Sequence, residues 1–387
     1  MSVTTAKGFT AAGVAAGLKS TGDRDVALVV NTGPLDVAAA VVTSNRVFAA
    51  PVKWIKEVIP AGKARAVVLN SAGANACTGE PGYGDTVATA QHVAGLLGVT
   101  APEVLVCSTG LIGVRLNMPK LLAGVDAAAG ELSDQGGDFA ALAIMTTDTI
   151  PKLAQAGGSG WSVGGMAKGA GMLAPGLATM LCVITTDAVI SAEVADRALR
   201  VATGQTFDRV DSDGCMSTND TVILLASGAS GVEVSEADFT EQLVAVAADL
   251  SRQLVADAEG ASHDIAVKVV GASSEAAAVA VARAVTRSNL FKAAVFGNDP
   301  NWGRVLSAVG TVPPEVAPFD ASLLDVSING VQICVAGGVG ADRELVDLAA
   351  NREVTVEIDL HAGSAQATVW TNDLTHDYVH ENSAYSS

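Results

Sequence analysis

The chain has 387 residues and a formal net charge of −18, from 23 Lys plus Arg against 41 Asp plus Glu. Such a field repels phosphate backbones and anionic lipid, and 4% aromatics leave few base-stacking platforms, which argues against nucleic-acid and membrane-surface proteins. Hydrophobic residues at 49% with charged residues at 17% supply core for about two to three domains and are far from a disordered composition.

In chain order, short β-branched runs alternate with alanine-rich helical stretches. Strands are expected over 26–30 and 66–69, then a helix over 86–97 that stops near Gly98. A strand over 104–108 leads into a glycine turn, followed by helices over 118–129 and 139–146. The glycine-rich stretch 157–171 is the strongest punctuation in the chain. After it come a strand over 180–184, a helix over 191–203 capped by Ser191 with Glu193 in its first turn, and the longest helix over 238–258. A strand over 265–270, a helix over 274–286 and alternating runs at 324–328, 354–360 and 367–371 complete the series. This is α/β material with two or more sheets.

Several motifs fail on chemistry. Gly13-Val-Ala-Ala-Gly17-Leu-Lys19-Ser20 has the wrong glycine spacing for a phosphate loop, and Leu18 separates Gly17 from Lys19. Arg209 stands where a calcium loop needs its first acidic ligand, ahead of Asp211 and Asp213. His376-Asp-Tyr-Val-His380 has the shorter Asp377 in place of the zincin glutamate and shows no clear helix around it. Cys77, Cys107, Cys182, Cys215 and Cys334 form no C-x-x-C pair, so neither a disulfide framework nor a thiolate zinc site is expected. No G-x-S-x-G elbow is present. A basic-then-apolar leader is missing, as is a run of the ~18 apolar residues that a membrane helix needs, so a cytoplasmic protein is expected.

One segment is chemically odd: Lys168-Gly-Ala-Gly-Met172-Leu-Ala-Pro175-Gly-Leu-Ala178-Thr179-Met180, running into an apolar strand. A hydroxyl at a strand mouth after a glycine-rich loop suits a nucleophile, and threonine needs a base. Cleavage before Thr179 would free an α-amine, which titrates near ~7.7–8.0 when unperturbed. The plain alternative is a β-branched residue that simply starts a strand.

The chain carries further ordered segments: Thr43-Ser-Asn-Arg-Val47, Asn70-Ser-Ala-Gly-Ala-Asn75-Ala-Cys-Thr-Gly79, Ser108-Thr-Gly-Leu-Ile-Gly113, Met145-Thr-Thr-Asp-Thr149, Ser217-Thr-Asn-Asp-Thr221, Gly297-Asn-Asp-Pro-Asn-Trp-Gly-Arg304, Thr371-Asn-Asp-Leu-Thr375 and Glu381-Asn-Ser-Ala-Tyr385. Together with the segment at Lys168 they resemble, over nearly the whole chain, the ornithine acetyltransferase family, also called glutamate N-acetyltransferase, of arginine biosynthesis. The resemblance implies self-cleavage between Ala178 and Thr179, dividing the 387 residues into an N-terminal chain, 1–178, and a C-terminal chain, 179–387. It implies Thr179 as the acetyl-accepting nucleophile, Thr109 and Gly110 as the oxyanion hole, and substrate-binding roles for Thr146, Lys168, Thr179, Glu259, Asn382 and Ser387. It implies an α/β (α+β sandwich) fold of two packed β layers covered by helices. A smaller C-terminal domain from about 280 to 387, beginning near residue 275–285, belongs to the same expectation.

The implied reaction moves acetyl from N2-acetyl-L-ornithine to L-glutamate by a ping-pong route. Cleaved chains would associate as an α2β2 heterotetramer, with neither a metal nor a nucleotide cofactor. The sequence leaves open whether acetyl-coenzyme A also donates. Departures from the family pattern cluster at Ala258-Glu259-Gly260-Ala261-Ser262-His263, where His263 replaces a fixed positive charge, at 70–75, and at the Ser386-Ser387 tail. Two rivals remain: an N-terminal-nucleophile aminopeptidase or amidohydrolase with water as acceptor, and a non-catalytic protein that keeps the fold.

Overall fold

The computed structural model describes residues 2–174 and 180–384. They divide into two compact units, one holding the described residues of 1–208 and 215–257, the other those of 209–214 and 258–385.

In the first unit the chain runs β1 (Phe9–Val14), β2 (Val26–Asn31), β3 (Val37–Val42), α1 (Ala50–Val58), β4 (Ala66–Asn70), α2 (Gly79–Leu97), β5 (Val104–Ser108), α3 (Met118–Gly130) and α4 (Gly137–Ile144). It continues through β6 (Lys152–Gly158), β7 (Trp161–Lys168), β8 (Leu181–Thr186), α5 (Ala192–Gln205), β9 (Thr221–Ala226) and α6 (Glu236–Ala256). Two sheets form, ordered β1-β2-β4-β5 and β3-β9-β8-β7-β6. Strands β2, β4, β5, β8 and β9 are buried along their whole length, which is why they read as continuous apolar runs. One face of the five-stranded sheet, with Met166, Leu181, Val183, Ile223 and Leu225, shares a buried cluster with Leu28, Val67, Leu69 and Leu105 of the other sheet. Its opposite face, with Cys182, Ile184, Val222 and Leu224, packs on Leu199 of α5 and Phe239, Leu243 and Leu250 of α6. Val93 of α2 and Leu121 and Val125 of α3 join the first cluster. This is the expected arrangement of two packed β layers covered by helices.

Local signals explain several ends. The Ser191 hydroxyl accepts from Val194 N–H at 3.3 Å and opens α5 as expected. The longest helix starts at Glu236, two residues ahead of the expectation, because the Ser235 hydroxyl caps it by accepting from Asp238 N–H at 3.1 Å. Helix α2 begins at Gly79, seven residues earlier than expected, because its first turns carry three glycines that read as loop. A Cβ on Gly82 would sit 1.9 Å from Thr78 Oγ1, so a close approach requires glycine there. The stretch 157–171 is not a break: most of it belongs to the antiparallel β6–β7 hairpin. Gly164 lies inside β7 because a Cβ would meet the Ser2 carbonyl oxygen at 2.2 Å.

The second unit contains β10 (Asp264–Ala272), α7 (Glu275–Thr286), α8 (Asn289–Phe296), α9 (Trp302–Val309), β11 (Asp325–Ile328), β12 (Val331–Val335), β13 (Gly338–Val339), β14 (Glu353–Asp359), β15 (Ala365–Asn372) and α10 (His376–Ala384). Its six-stranded sheet has the order β13-β12-β11-β14-β10-β15. Strand β10 pairs parallel with β14 and antiparallel with β15, and residues 209–214 join beside β15 through a Val210–Trp370 bridge. Val281 and Val285 of α7, Phe291 of α8 and Val305 of α9 close the core over Ile265, Val267 and Val356. Because β10 lies inside this sheet, the unit's long continuous stretch starts at 258 and takes in residues before 280.

Candidate active site

Strand register assembles the site in the first unit. Lys168, the last residue of β7, is opposite Leu181, the first of β8, and Leu181 is opposite Thr221, the first of β9. Three strand ends therefore meet at one end of the sheet. Thr179 is bonded to Met180, which is bonded to Leu181, so the chain enters this sheet beside Lys168. Ala178, Thr179 and Ser387 themselves lie outside the described residues.

Lys168 is 2% exposed, and its Nζ donates to Thr109 Oγ1 at 3.3 Å. Thr109 follows β5 and is held by its N–H donating to the Asn70 carbonyl at 3.0 Å. Gly110 has φ +126°, and a Cβ there would meet Gly73 N at 2.8 Å, so glycine is required where the loop passes the 70–75 segment. Lys168 and the Thr109-Gly110 pair, separate in sequence, are thus brought together.

Asp148 lies at the centre of a buried charge cluster. It accepts from Lys152 Nζ at 2.6 Å, from Gly169 N–H at 2.6 Å and from Thr146 N–H at 2.9 Å. Burial pushes this carboxyl up, but the Lys168 and Lys152 ammoniums and the donated hydrogen bonds outweigh it and hold Asp148 below the usual carboxylate range. Lys152 is fully buried and also donates to Asp257 at the end of α6. Thr146 is exposed, and it meets this cluster through its backbone N–H.

Opposite Lys168, the Asp220 Oδ1 accepts from Met180 N–H at 3.1 Å, while Thr221 N–H donates to the Met180 carbonyl at 3.0 Å. The loop before β9 is tied to the other ordered segments. Thr43 Oγ1 donates to the Ser217 carbonyl at 2.8 Å, and Asn219 Nδ2 donates to the Ala74 carbonyl at 2.9 Å. The motifs at 43–47, 70–79, 108–113, 145–149 and 217–221 therefore converge on one region of the first unit. Sequence reasoning gave no role to Asp148, Lys152, Asp220 or Asp257. Asp148 and Asp220 do lie inside quoted motifs, which was the available signal.

Glu259 and Asn382 belong to the second unit. Glu259 is buried and lines a pocket of about 190 Å³ with Asp213, Arg287, Lys292, Asp373 and Tyr378. Burial lowers the Lys292 ammonium, against the pull of Asp213, Asp211 and Asp373. His263 turns toward Asp373, with Nδ1 and Oδ2 2.8 Å apart. Asn382 is exposed on α10 and donates to the Tyr378 carbonyl of its own helix at 3.0 Å.

The rejected motifs have structural explanations. Gly13 lies in β1 under α4, where a Cβ would be 1.9 Å from the Phe139 carbonyl oxygen. Lys19 donates to the Met145 and Arg24 carbonyls at 2.7 and 3.1 Å. Asp211 accepts from Arg287 Nε at 2.7 Å. His376 and His380 do lie on a helix, α10, contrary to the sequence reading, because Thr375 Oγ1 caps it by accepting from Tyr378 N–H at 2.9 Å. Among the described residues no group of three or more His, Cys, Asp or Glu is placed to hold a metal, and no helix is long and apolar enough to cross a membrane.

Comparison with known proteins places this geometry in a family. The ArgJ family profile matches residues 10–387. The arginine biosynthesis bifunctional protein ArgJ of Streptomyces coelicolor is 63% identical over 387 residues, covering 100% of both chains. Its counterpart in Thermobifida fusca is 60% identical, again over 100% of each. A crystal structure of ornithine acetyltransferase complexed with ornithine, from Mycobacterium tuberculosis, is 55% identical over 46% of this chain and 96% of that one, with a TM-score of 0.45. The matched span takes in Thr109, Asp148, Lys168 and Asp220, and the chain belongs to the ArgJ family.

Proposed function

We propose that the chain cleaves itself between Ala178 and Thr179 and then transfers acetyl from N2-acetyl-L-ornithine to L-glutamate through an acetyl ester on Thr179. The observation that carries this reading is the buried Lys168 ammonium, 3.3 Å from Thr109 Oγ1, at the strand end opposite Leu181. Oxyanion donors and a fixed cation thus stand beside the point where the chain from Thr179 enters the sheet.

In the first half-reaction the freed α-amine of Thr179 takes the hydroxyl proton, and Oγ attacks the acetyl carbonyl carbon. The Thr109 hydroxyl and Gly110 N–H receive the developing oxyanion. The C–N bond breaks, the proton passes to the leaving amine, and ornithine departs. In the second half-reaction the amine of glutamate attacks the ester, N-acetylglutamate forms, and the threonine hydroxyl is restored. Lys168 faces a substrate carboxylate as a point charge. Thr146, Glu259, Asn382 and Ser387 keep the binding roles that the resemblance implies.

The word bifunctional in the names of relatives at 63% and 60% identity supports a second donor, acetyl-coenzyme A, for the same acceptor. No metal or nucleotide cofactor enters this reading. The chains 1–178 and 179–387 stay associated, two of each forming an α2β2 assembly in the cytoplasm; this part rests on the resemblance alone.

The test is ornithine release from N-acetylornithine with and without glutamate. Sustained release only with glutamate, abolished in Thr179→Ala, is the expected result. Acetate release that ignores glutamate would replace the transferase with a hydrolase, and a fully active Thr179→Ala would move the chemistry elsewhere.

A further inference from the structure

Asp220 is a carboxyl with no exposed surface, and it contacts Met180, the residue that follows Thr179. Its Oδ1 receives the Met180 N–H at 3.1 Å. Its Oδ2 is buried and has no hydrogen-bond partner among the described residues. A buried carboxylate oxygen without a donor is costly, so such a group either finds a partner or takes up a proton. Met180 is held from both sides, since its carbonyl accepts from Thr221 N–H at 3.0 Å. Asp220 itself is fixed by its carbonyl accepting from Thr43 N–H at 2.8 Å. This much anchoring at Met180, the residue just ahead of β8, exceeds what strand pairing alone requires.

We propose that Asp220 is a positioning residue for self-cleavage, holding the Met180 amide with one oxygen and keeping the other as a hydrogen-bond donor available to the cleavage step. The inference rests on the self-cleavage reading above. The carboxyl works in its neutral form, with Oδ1 as acceptor and Oδ2–H as donor. Burial raises its pKa well above the ordinary value, against the Met180 and Ser217 hydrogen bonds and the Lys168 charge. Lys168 on β7 is the charged group facing it among the described residues; Ser217 and Met180 offer only hydrogen bonds. In the cleavage step the Thr179 Oγ–C(178) bond forms and the C(178)–N(179) bond breaks, with the hydroxyl proton passing to that nitrogen. Water then hydrolyses the resulting ester to the Ala178 carboxylate. Asp220 orients the peptide and neither gains nor loses a proton over the sequence.

The role predicts a specific pattern. Asp220→Asn keeps one acceptor and one donor, so it cleaves at a rate within a few-fold of wild type. Asp220→Ala removes both and slows cleavage by at least ten-fold, while a melting curve confirms that it folds. The pH profile separates positioning from mere packing. Wild-type precursor cleaves more slowly as pH rises through the Asp220 pKa and the donor is lost, whereas Asp220→Asn shows no such fall. Purified precursors would be followed by intact mass against time across pH 6–10.

Equal cleavage of Asp220→Ala and wild type would overturn the proposal, as would superimposable pH profiles for wild type and Asp220→Asn. A folded Asp220→Asn that fails like Asp220→Ala would also overturn it, by showing that the charge is needed. A wild-type chain that never cleaves would overturn the self-cleavage reading together with this one, and is distinguishable because no variant is involved.

Discussion

Replacing Lys152 with methionine removes a fully buried ammonium while keeping most of its volume. The loss leaves Asp148 and Asp257 without the cation that both contact, and Asp148 is itself buried. Breaking a buried ion pair by removing one partner costs about 3–5 kcal/mol, because an uncompensated charge stays inside. Asp148 keeps the Gly169 and Thr146 N–H donors and the Lys168 charge, which places the expected cost near 3 rather than 5 kcal/mol, as an order of magnitude. At roughly 2–4 °C per kcal/mol for a unit of this size, Tm falls by about 6–12 °C. The deficit depends on pH. A carboxyl held low in the folded state adds stability above its unfolded pKa of about 3.9, and that contribution is lost as pH falls through the folded value. Lys152→Met therefore differs most from wild type at neutral pH, and the gap narrows only below about pH 3.9, as pH falls through the folded Asp148 value. Urea unfolding at pH 7 and at about pH 2–3, below the unfolded carboxylate value, measures this. A deficit under about 1 kcal/mol, of the size of an exposed pair, or one identical at both pH values, would refute the buried-network account.

Three other consequences follow from named contacts. Gly110→Ala forces a side chain into positive φ and onto the Gly73 amide, costing about 1–3 kcal/mol in chemical denaturation and lowering transfer activity more than stability. Tyr83 donates to Glu57, which with burial pushes its phenol up to about 12; ultraviolet titration places its ionisation there, and Glu57→Gln returns it toward about 10. Cys77 and Cys215 are exposed while Cys107, Cys182 and Cys334 are buried. Burial also pushes the Cys107 thiol up to about 12, so native protein labels at the first two positions and at the other three only after denaturation.

The sheets were legible wherever a strand is buried on both faces. The runs around Val29, Val67 and Val106 announce β2, β4 and β5 because no polar side alternates with the apolar one. Strand β7 was illegible because its glycines answer to tertiary neighbours: Gly164 makes room for the Ser2 carbonyl, and Gly165 for Leu250 of α6. Nothing local to 161–168 encodes either contact. The first-unit site was legible in part because its pieces are short ordered motifs. Thr109, Gly110 and Lys168 were named from them, and the structure brings them together. The charge cluster was not. Lys152 looks like a surface lysine until the fold sets Asp148, four residues back, and Asp257, 105 residues on, around its ammonium. Asp220 lay within a recognised motif, yet its significance depends on the parallel β8–β9 register that delivers Met180 to it.

The most direct test of the central claim is the intact mass of the purified protein under denaturing conditions, before and after incubation with N-acetylornithine in the absence of glutamate. The account predicts two pieces of about 18 and 21 kDa, from dividing 38.8 kDa by length, with the larger beginning at Thr179. After incubation the larger piece alone gains one acetyl group, which glutamate then removes. A single species at 38.8 kDa that never gains an acetyl group, or an acetyl group on the smaller piece, would contradict it.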